Sequence, residues 1–285
     1  EMLQHDRQLK VIANNIEKKI KSELVKLMKD DREKYQQFWT AFGMQFKYAL
    51  MNAYGQNRDT IRDLLLFWSS KENKLTSLKE YVDRMPESQE KIYYVCADSV
   101  EHASKMPQAE RVLKAGYEVL YLTVDEDEIV LQMLENAYDK PFVSVASEDA
   151  LPVTDAEKAS VEQAEKDHKA LLDFAQETLK GEVSKVRISK ILQSGAVCLT
   201  AEGPVSLEME KYFRKMRRDF PMSAQRVLEL NPDAPAFQAL CKAYEEDKEK
   251  AAAYVEVLYN QALIIADLPL PDPARYAELV CGLMK

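Results

Sequence analysis

In the first part of the chain, apolar residues recur every three or four positions, which is the spacing of helices packed by one face. From Leu9 to Leu27 this spacing, with lysines between, predicts one long amphipathic helix that Asp30 and Asp31 end. Aromatic residues at 35–42 predict a second helix that ends near Gly43, and apolar residues at 61–68 predict a third. We interpret these aromatic stripes as core, because their spacing suits helix packing.

From Ser77 onward the pattern changes, and short continuous apolar runs alternate with helical segments. A short helix over 78–82 comes first, and the apolar runs at 92–97, 118–122 and 142–145 are typical of strands buried on both faces. Between the runs lie a helix ending at Gly116 and one over 127–137. This order predicts a small parallel sheet between helices. The first strand is followed by Ala97-Asp98-Ser99, not by a glycine-rich turn, which favours a scaffold role over nucleotide binding.

The second half of the chain predicts an α+β unit after an acidic stretch. Residues 147–167 carry many acidic and few apolar side chains, so we expect a solvated linker with a boundary near Leu151-Pro152. A helix over 171–179 then ends at Gly181. Apolar positions at 183–191 and 196–200 predict a small antiparallel sheet that turns at Ser194-Gly195.

Residues 205–222 predict a strongly amphipathic helix, with charged residues opposite an apolar face. The apolar face is formed by Met209, Tyr212, Phe213 and Met216, and the charge becomes basic toward the C-terminal end. Methionine and aromatic side chains together make an adaptable surface for varied partners. The same pattern also fits a helix that packs on the neighbouring sheet.

The chain ends in two helices that are apolar around most of their circumference. The first spans 251–266, and Asp272 and Pro273 predict the N-cap and first residue of the second. Either a second copy of the chain or the preceding segments of the same chain can cover this surface. On the first alternative the pair forms a four-helix dimer contact. The predicted interface residues are Tyr254, Leu258, Ala262, Ile265, Tyr276, Val280 and Leu283.

Composition argues against several classes of partner and site. At 285 residues with a net charge of −9 and a pI near 5.1, the chain suits two domains and does not suit nucleic acid as a main partner. No apolar run has the length of a membrane span. The four cysteines and three histidines are widely separated and fit no metal-ligand spacing, so we expect reduced thiols, no metal site and a cytoplasmic location. These histidines and the serines predict no catalytic nucleophile and base.

Four motifs are specific enough to compare with known families: Glu1-Met2-Leu3-Gln4, Gln56-Asn57-Arg58, the run YVDRMPESQEKIYY at 81–94, and Lys140-Pro141-Phe142. Together they resemble the 90-kDa heat-shock protein chaperone family in its bacterial HtpG-type form. The resemblance extends along essentially the whole chain. It implies the latter part of the middle domain, with helical residues 1–76 and α/β residues 77–145. An acidic linker at 146–167 and a C-terminal dimerisation and client-contact domain at 168–285 would follow.

The resemblance also implies how the chain would work within a longer protein. In the family, ATP with magnesium binds in an N-terminal domain that this chain lacks, so we expect a fragment that does not hydrolyse ATP alone. Gln4 would line the edge of the ATP site, although it also fits a polar residue at a helix start. The family likeness implies a homodimer that binds unfolded or partly folded clients. Clients would contact the 209–216 face and Glu128, Ile129 and Gln132, where Ile129 replaces an aromatic residue that bacterial members can carry.

Two other classes of function remain open at the level of sequence. A nucleotide-dependent enzyme could use the parallel sheet, and saturable nucleotide binding by residues 77–145 would reveal it. A structural adaptor could use the same terminal dimer without any affinity for unfolded chains.

Overall fold

The computed structural model describes residues 7–147, 150–216 and 223–284. The chain divides into two compact units. Unit 1 comprises the chain up to Ile92 together with Glu126–Phe142, and unit 2 comprises Tyr93–Asp125 and the chain from Val143 onward. Helices and small sheets occur in both units, which confirms the predicted mixed α and β fold class. The finer division into four segments stays a prediction.

Thirteen α-helices lie in the described residues, and short 3-10 turns at Arg62–Leu64 and Pro107–Ala109 accompany them. They are α1 (Arg7–Asp30), α2 (Arg32–Asn52), α3 (Arg58–Ile61), α4 (Leu78–Arg84), α5 (Val100–Ala103), α6 (Glu110–Lys114), α7 (Asp127–Leu134), α8 (Asp155–Asp167), α9 (Lys169–Thr178), α10 (Leu207–Met216), α11 (Pro235–Glu246), α12 (Lys248–Ile265) and α13 (Pro273–Gly282).

The same residues contain nine strands. They are β1 (Leu66–Ser69), β2 (Leu75–Ser77), β3 (Ile92–Cys96), β4 (Val119–Leu122), β5 (Asn136–Ala137), β6 (Lys140–Ser144), β7 (Lys185–Ile188), β8 (Val197–Glu202) and β9 (Gln225–Leu230). No helix in the described ranges combines the length and apolar character needed to cross a membrane.

In unit 1, α2 continues well past Gly43, so the predicted helix end at that glycine was wrong. A Cβ atom on Gly43 would lie 2.8 Å from ring atoms of Trp39. The glycine therefore makes room for the indole ring and does not stop the helix. The break before α2 is confirmed, since the Asp31 side chain accepts a hydrogen bond from the Lys34 amide and caps the helix.

The third predicted helix is also corrected. Helix α3 passes into the 3-10 turn, Leu65 is extended, and Trp68 lies in β1, which pairs antiparallel with β2. Leu64 and Leu65 are fully buried, and a short apolar run of this kind fits a strand as well as a helix. The capping box of Ser77 and Glu80 then starts α4.

The helix predicted over 127–137 ends earlier, at Leu134. Glu135 has a φ of 63°, and β5 and β6 form a hairpin whose turn residues Tyr138 and Asp139 have φ values of 52° and 62°. Positive φ at both turn positions is the geometry of a tight hairpin turn. The Tyr138 hydroxyl donates to Asp63 at 2.7 Å and holds this turn in place.

In unit 2, β3 and β4 pair in parallel, with Tyr93 opposite Val119 and Cys96 opposite Leu122. The amide of Val145 donates to the carbonyl of Tyr94 at 2.9 Å, so the chain after β6 continues beside β3. This arrangement confirms the predicted parallel pairing. Strand β4 is buried along its whole length, as a continuous apolar run requires.

The second sheet of unit 2 differs from the prediction. Its order is β7-β9-β8, with β7 and β9 parallel and β8 and β9 antiparallel, so the predicted hairpin between β7 and β8 was wrong. Residues 228–230 form the end of the central strand β9. Burial explains its place, since the side chains from Val227 to Leu230 are all buried.

Helices α9, α11 and α12 pack with this sheet around one core, which includes Leu172, Leu230, Phe237, Leu258 and Leu263. Residues 155–167 of the predicted linker form α8, which begins with a capping box of Thr154 and Glu157 and buries no side chain. Val161 and Ala164 pack partly buried against this core, and the remaining, mostly exposed surface of α8 is consistent with the acidic composition of the stretch.

Among the cysteines, Cys198 is buried, Cys96 and Cys241 are half-buried, and Cys281 is exposed. Burial raises the pKa of the Cys198 and Cys241 thiols above their ordinary value. These thiols are therefore poor nucleophiles at neutral pH.

Candidate functional site

The amphipathic segment predicted at 205–222 is helical over α10, and its residues 217–222 lie outside the described part. The Ser206 hydroxyl accepts a hydrogen bond from the Met209 amide at 3.0 Å and caps the start of the helix. Acidic residues occupy the first turn and basic residues the last, which complements the helix dipole. The sequence therefore specifies both the position and the direction of α10.

The predicted apolar face of α10 is only partly covered. Tyr212 is buried and contacts the ring of Phe213 at a centroid distance of 5.5 Å. Met209 and Phe213 are half-buried, whereas Met216 is 66% exposed. The face thus passes from a buried anchor to an exposed methionine at the C-terminal end of the helix. The sequence left an exposed face and a packed face as alternatives, and within this chain one end of the face is buried and the other is exposed.

A buried carboxylate holds α10 in place. Glu210 is 2% exposed and accepts hydrogen bonds from the Arg226 guanidinium at 2.6 Å, from the Ala224 amide at 3.0 Å and from Arg214. Arg226 also donates to the Tyr259 hydroxyl of α12 at 3.1 Å. Burial alone would lower the pKa of Arg226, but Glu210 and Tyr259 raise it. The cation is thus fully charged, and it links α10 to α12.

The terminal hairpin is formed by α12 and α13, each with an aspartate N-cap. Asp247 accepts from the amides of Glu249 and Lys250, and Asp272 accepts from the amide of Arg275 at 2.9 Å, with Pro273 as the first helical residue. The predicted start of α13 is therefore confirmed. Arg275 also pairs with Glu256 of α12 at 3.3 Å, which joins the two helices at their exposed edge.

The predicted interface residues differ in how far the chain itself covers them. Leu258 and Ala262 belong to the core of unit 2. Tyr254, Ile265, Tyr276 and Val280 are half-buried, and Leu283 is 40% exposed. An apolar cavity of about 210 Å³ opens between Tyr254, Leu258 and Leu283, and the adjacent α11 completes it. The role of these residues in an interface stays a prediction, and the half-buried and exposed members retain surface for a partner.

The residues predicted on α7 lie in unit 1 and are mostly covered. Glu128 and Ile129 are buried, and Gln132 is exposed. At the start of the helix, Asp127 pairs with Lys47 of α2 at 2.6 Å, and both side chains are almost fully buried. Of the three predicted contacts, Gln132 is therefore the one that the chain presents to solvent. Gln4 lies outside the described residues.

One group of polar side chains was missed by sequence reasoning. Asp98, His102 and Asp267 bring their ligand atoms within 4.8 Å of one another in unit 2. The prediction of no metal site rested on spacing along the chain, but Asp98 and Asp267 are 169 positions apart. The location of Asp98 just after a strand of the parallel sheet was the one available signal.

Comparisons with known proteins agree on one family. The model of the family described as Hsp90 protein matches residues 1–285. Proteins named Chaperone protein HtpG are 49% identical in Bacillus subtilis, 48% in Oceanobacillus iheyensis and 46% in Clostridium botulinum strain Langeland. Each match covers 100% of this chain but 45%, 45% and 46% of the relative, respectively. The chain therefore spans less than half the length of these relatives.

Proposed function

Because this chain belongs to the Hsp90 protein family, we propose that it is the client-contacting and dimerising part of an ATP-dependent molecular chaperone. The observation that carries this proposal is the partly exposed methionine and aromatic face of α10. A chaperone surface must hold clients of varied shape, and flexible thioether side chains beside an aromatic ring adapt to such partners. The function is binding of unfolded or partly folded proteins in the cytoplasm.

The hydrogen bonds that hold the buried side of α10 support this proposal. A surface that binds many partners must stay apolar without collapsing into its own core. Glu210 fixes the inner side of the helix through Arg226 and the Ala224 amide, while Met216 remains in solvent. The helix is thus presented in one orientation before a client arrives, which lowers the entropy cost of binding.

We also propose that two copies of the chain associate through α12 and α13. Ile264 is 47%, Leu283 40% and Met284 79% exposed, and together with the apolar cavity beside Leu283 they offer surface for a second copy. A two-fold contact would place one α10 from each protomer in the same particle. Two client-binding faces in one particle raise the effective concentration of each for a long client.

ATP with magnesium would act in the part of the longer protein that precedes this chain. We expect the purified chain to show no ATP turnover above background, and a coupled phosphate-release assay measures it. Turnover that survives repeated purification and follows the protein concentration would contradict this expectation. It would favour the nucleotide-dependent enzyme that the parallel sheet leaves open.

One crossed experiment tests client binding and dimerisation separately. Met216→Ser changes α10, and the double variant Leu283→Glu with Met284→Ser changes the terminal hairpin; all three side chains are exposed. We expect Met216→Ser to reduce suppression of the aggregation of a heat-denatured model client about two- to fivefold, because it removes an exposed apolar contact. Light scattering should give an unchanged mass for this variant.

The matched control has the opposite pattern. Leu283→Glu combined with Met284→Ser should shift the light-scattering mass toward the monomer and leave α10 intact. Unfolding profiles should stay close to wild type for both variants, since the altered side chains are exposed. If the wild-type chain is a dimer that never suppresses aggregation, its function is better explained as that of a structural adaptor. If it stays monomeric at all concentrations, the dimer proposal fails.

A further inference from the structure

A cavity of about 320 Å³, lined by both charged and apolar residues, lies in unit 2 where two parallel strands end. Its lining includes Cys96 at the end of β3, Leu122 at the end of β4, and the carboxylates of Asp98, Asp125 and Asp267. Ligands of α/β sheets bind beyond the carboxyl ends of parallel strands, because loops from several strands meet there. The group formed by Asp98, His102 and Asp267 lies at the edge of this cavity.

All three ligand atoms lie within 4.8 Å of one another, and the two separations that involve His102 are close to those of ligands around a small metal ion. His102 Nδ1 lies 3.2 Å from Asp98 Oδ1 and 3.1 Å from Asp267 Oδ1. Zinc binds nitrogen and carboxylate oxygen at about 2.0–2.2 Å in tetrahedral geometry, which places neighbouring ligand atoms roughly 3.3–3.5 Å apart. An ion could therefore replace the hydrogen bonds of the imidazole with small shifts of the three side chains.

Surrounding groups orient two of the ligands. The backbone amide of Asp98 donates to Asp267 Oδ2 at 2.9 Å, which turns Oδ1 of the same carboxylate toward His102. The Ser99 hydroxyl donates to Asp98 Oδ1 at 3.0 Å. Hydrogen bonds of this kind fix the direction of metal ligands in proteins.

The local charge also suits a divalent cation. Two carboxylates beside one imidazole supply the negative charge that such an ion requires. Three cations also line the cavity, and each is paired with a carboxylate: Lys211 with Glu208, Arg214 with Glu210 and Lys215 with Asp125. The side chain of Asp98 is 66% exposed, so an ion can enter from solvent without opening the core.

We propose that Asp98, His102 and Asp267 form a binding site for a divalent transition-metal ion of the zinc class, with water from the cavity as the fourth ligand. Asp98 and His102 belong to the segment after β3, and Asp267 directly follows α12. A bound ion would therefore attach the end of α12 to the β3–α5 connection. None of the three ligands belongs to the proposed client-contact face, although charged residues of α10 line the same cavity.

Cobalt and zinc test the site with two different readouts. Tag-free protein, stripped with EDTA and dialysed, is titrated with Co²⁺, and a tetrahedral nitrogen and oxygen site gives visible absorption that saturates at one ion per chain. Zinc should displace cobalt and should raise the thermal midpoint of unit 2 by about 2–5 °C, because an ion that binds only the folded state stabilises it.

The variants separate a metal site from a hydrogen-bonded cluster. His102→Gln, Asp98→Asn and Asp267→Asn should each abolish the cobalt spectrum and the zinc-dependent shift of the midpoint. Each variant also loses a hydrogen bond, so the readout is the difference between zinc and EDTA within one variant. Asp125 lines the same cavity, and His168 lies beside Cys241. The control variants Asp125→Asn and His168→Gln should therefore bind cobalt and zinc as the wild-type chain does.

Two outcomes would overturn the proposal. In one, neither ion binds the wild-type chain below about 100 μM, which is weaker than a preformed zinc site requires. In the other, saturable binding persists in His102→Gln and is lost in His168→Gln, which would place the ion beside Cys241.

Discussion

Helices α1 and α12 both carry apolar residues at helical spacing, but α12 is richer in them and the two helices differ in burial. Helix α1 is 24 residues long and buries none of its side chains, and Leu9, Ile12, Ile16 and Ile20 are 43–54% exposed. Helix α12 is 18 residues long and buries seven side chains, with Ala262 and Leu263 completely covered. An apolar stripe thus shows which face of a helix can pack, and not whether anything in the chain packs on it.

The two helices are also attached in different ways. Lys21 of α1 pairs with Asp63 at 2.6 Å, and beyond it the apolar residues Leu24, Leu27 and Met28 are only half-buried. Helix α12 is attached by its apolar side chains, which pack in the core of unit 2. Apolar burial is worth about 25 cal/mol per Å² and is insensitive to salt, whereas a partly exposed ion pair contributes little and is screened. The four predictions below test this difference.

The largest effect is expected from Leu263→Ala in α12. Leu263 is fully buried, so its truncation leaves a cavity and should lower the free energy of unfolding by about 2–5 kcal/mol. Urea denaturation followed by far-UV circular dichroism measures this change. The adjacent Ile264 is 47% exposed and serves as the control, since Ile264→Ala should cost below about 1 kcal/mol. Equal losses in the two variants would show that α12 is not packed by one face.

Removing the cap of α12 should have a smaller effect. Asp247 accepts hydrogen bonds from the amides of Glu249 and Lys250, so Asp247→Ala leaves two donors of the first turn without this acceptor. We expect a loss of about 1 kcal/mol in the same denaturation experiment. Asp247→Ser retains a capping oxygen and should recover most of it. A loss that Ser does not rescue would mean that the negative charge, and not the cap, is what matters.

The attachment of α1 should depend on pH. Burial raises the pKa of Asp63, but hydrogen bonds from Lys21 and Tyr138 and the nearby cations more than offset this, and the net pKa is lowered. A carboxyl group with a lowered pKa stabilises the fold above its unfolded pKa of about 4, and this contribution is lost as the pH falls through the folded pKa. Asp63→Asn should therefore cost at most about 1 kcal/mol at pH 7.

Tryptophan fluorescence is a suitable measurement for this variant, since Trp39 and Trp68 are the two tryptophans of the chain and both lie in unit 1. The gap in thermal midpoint between wild type and Asp63→Asn should close below about pH 4. A gap that stays constant from pH 7 to pH 3 would mean that Asp63 acts through its shape and not through its charge.

The smallest effect is expected from Ile16→Ser on the exposed stripe of α1. The side chain is 54% exposed, and isoleucine and serine have similar helix propensities. We expect a change within about 0.5 kcal/mol in unfolding free energy. Ile61→Ser, at a buried position of the same unit, is the contrasting variant. A large loss in Ile16→Ser would show that a partner covers α1 in solution.

Local pattern was sufficient for many elements of this fold. Capping residues placed α2 at Asp31 and α13 at Asp272, and continuous apolar runs placed β3 and β4, because these signals act over a few residues. The pattern failed where side-chain packing or strand pairing, and not residue type, determines the local structure. Gly43 was read as a helix end, yet it makes room for the ring of Trp39. The run ending at Trp68 was read as a helix, but it pairs with β2.

Long-range pairing limited the prediction of the second sheet and of the sites. Strand β9 lies between β7 and β8 although it follows both in the chain, and no turn residue encodes that order. The apolar face of α10 was predicted correctly as a pattern, but the burial of Tyr212 and the exposure of Met216 depend on the packing of other elements. The group of Asp98, His102 and Asp267 depends on packing in the same way.

The distribution of cysteines makes the native sequence suitable for selective labelling. Cys281, near the end of α13, is the one exposed thiol among the four, and the pKa of both Cys198 and Cys241 is raised by burial. A maleimide dye at neutral pH should therefore react first at Cys281, because the thiolate is the reactive form and must be accessible. Because Cys281 lies on a helix proposed to contact a second copy, slower labelling at high protein concentration would report association through α13, without any substitution in the chain.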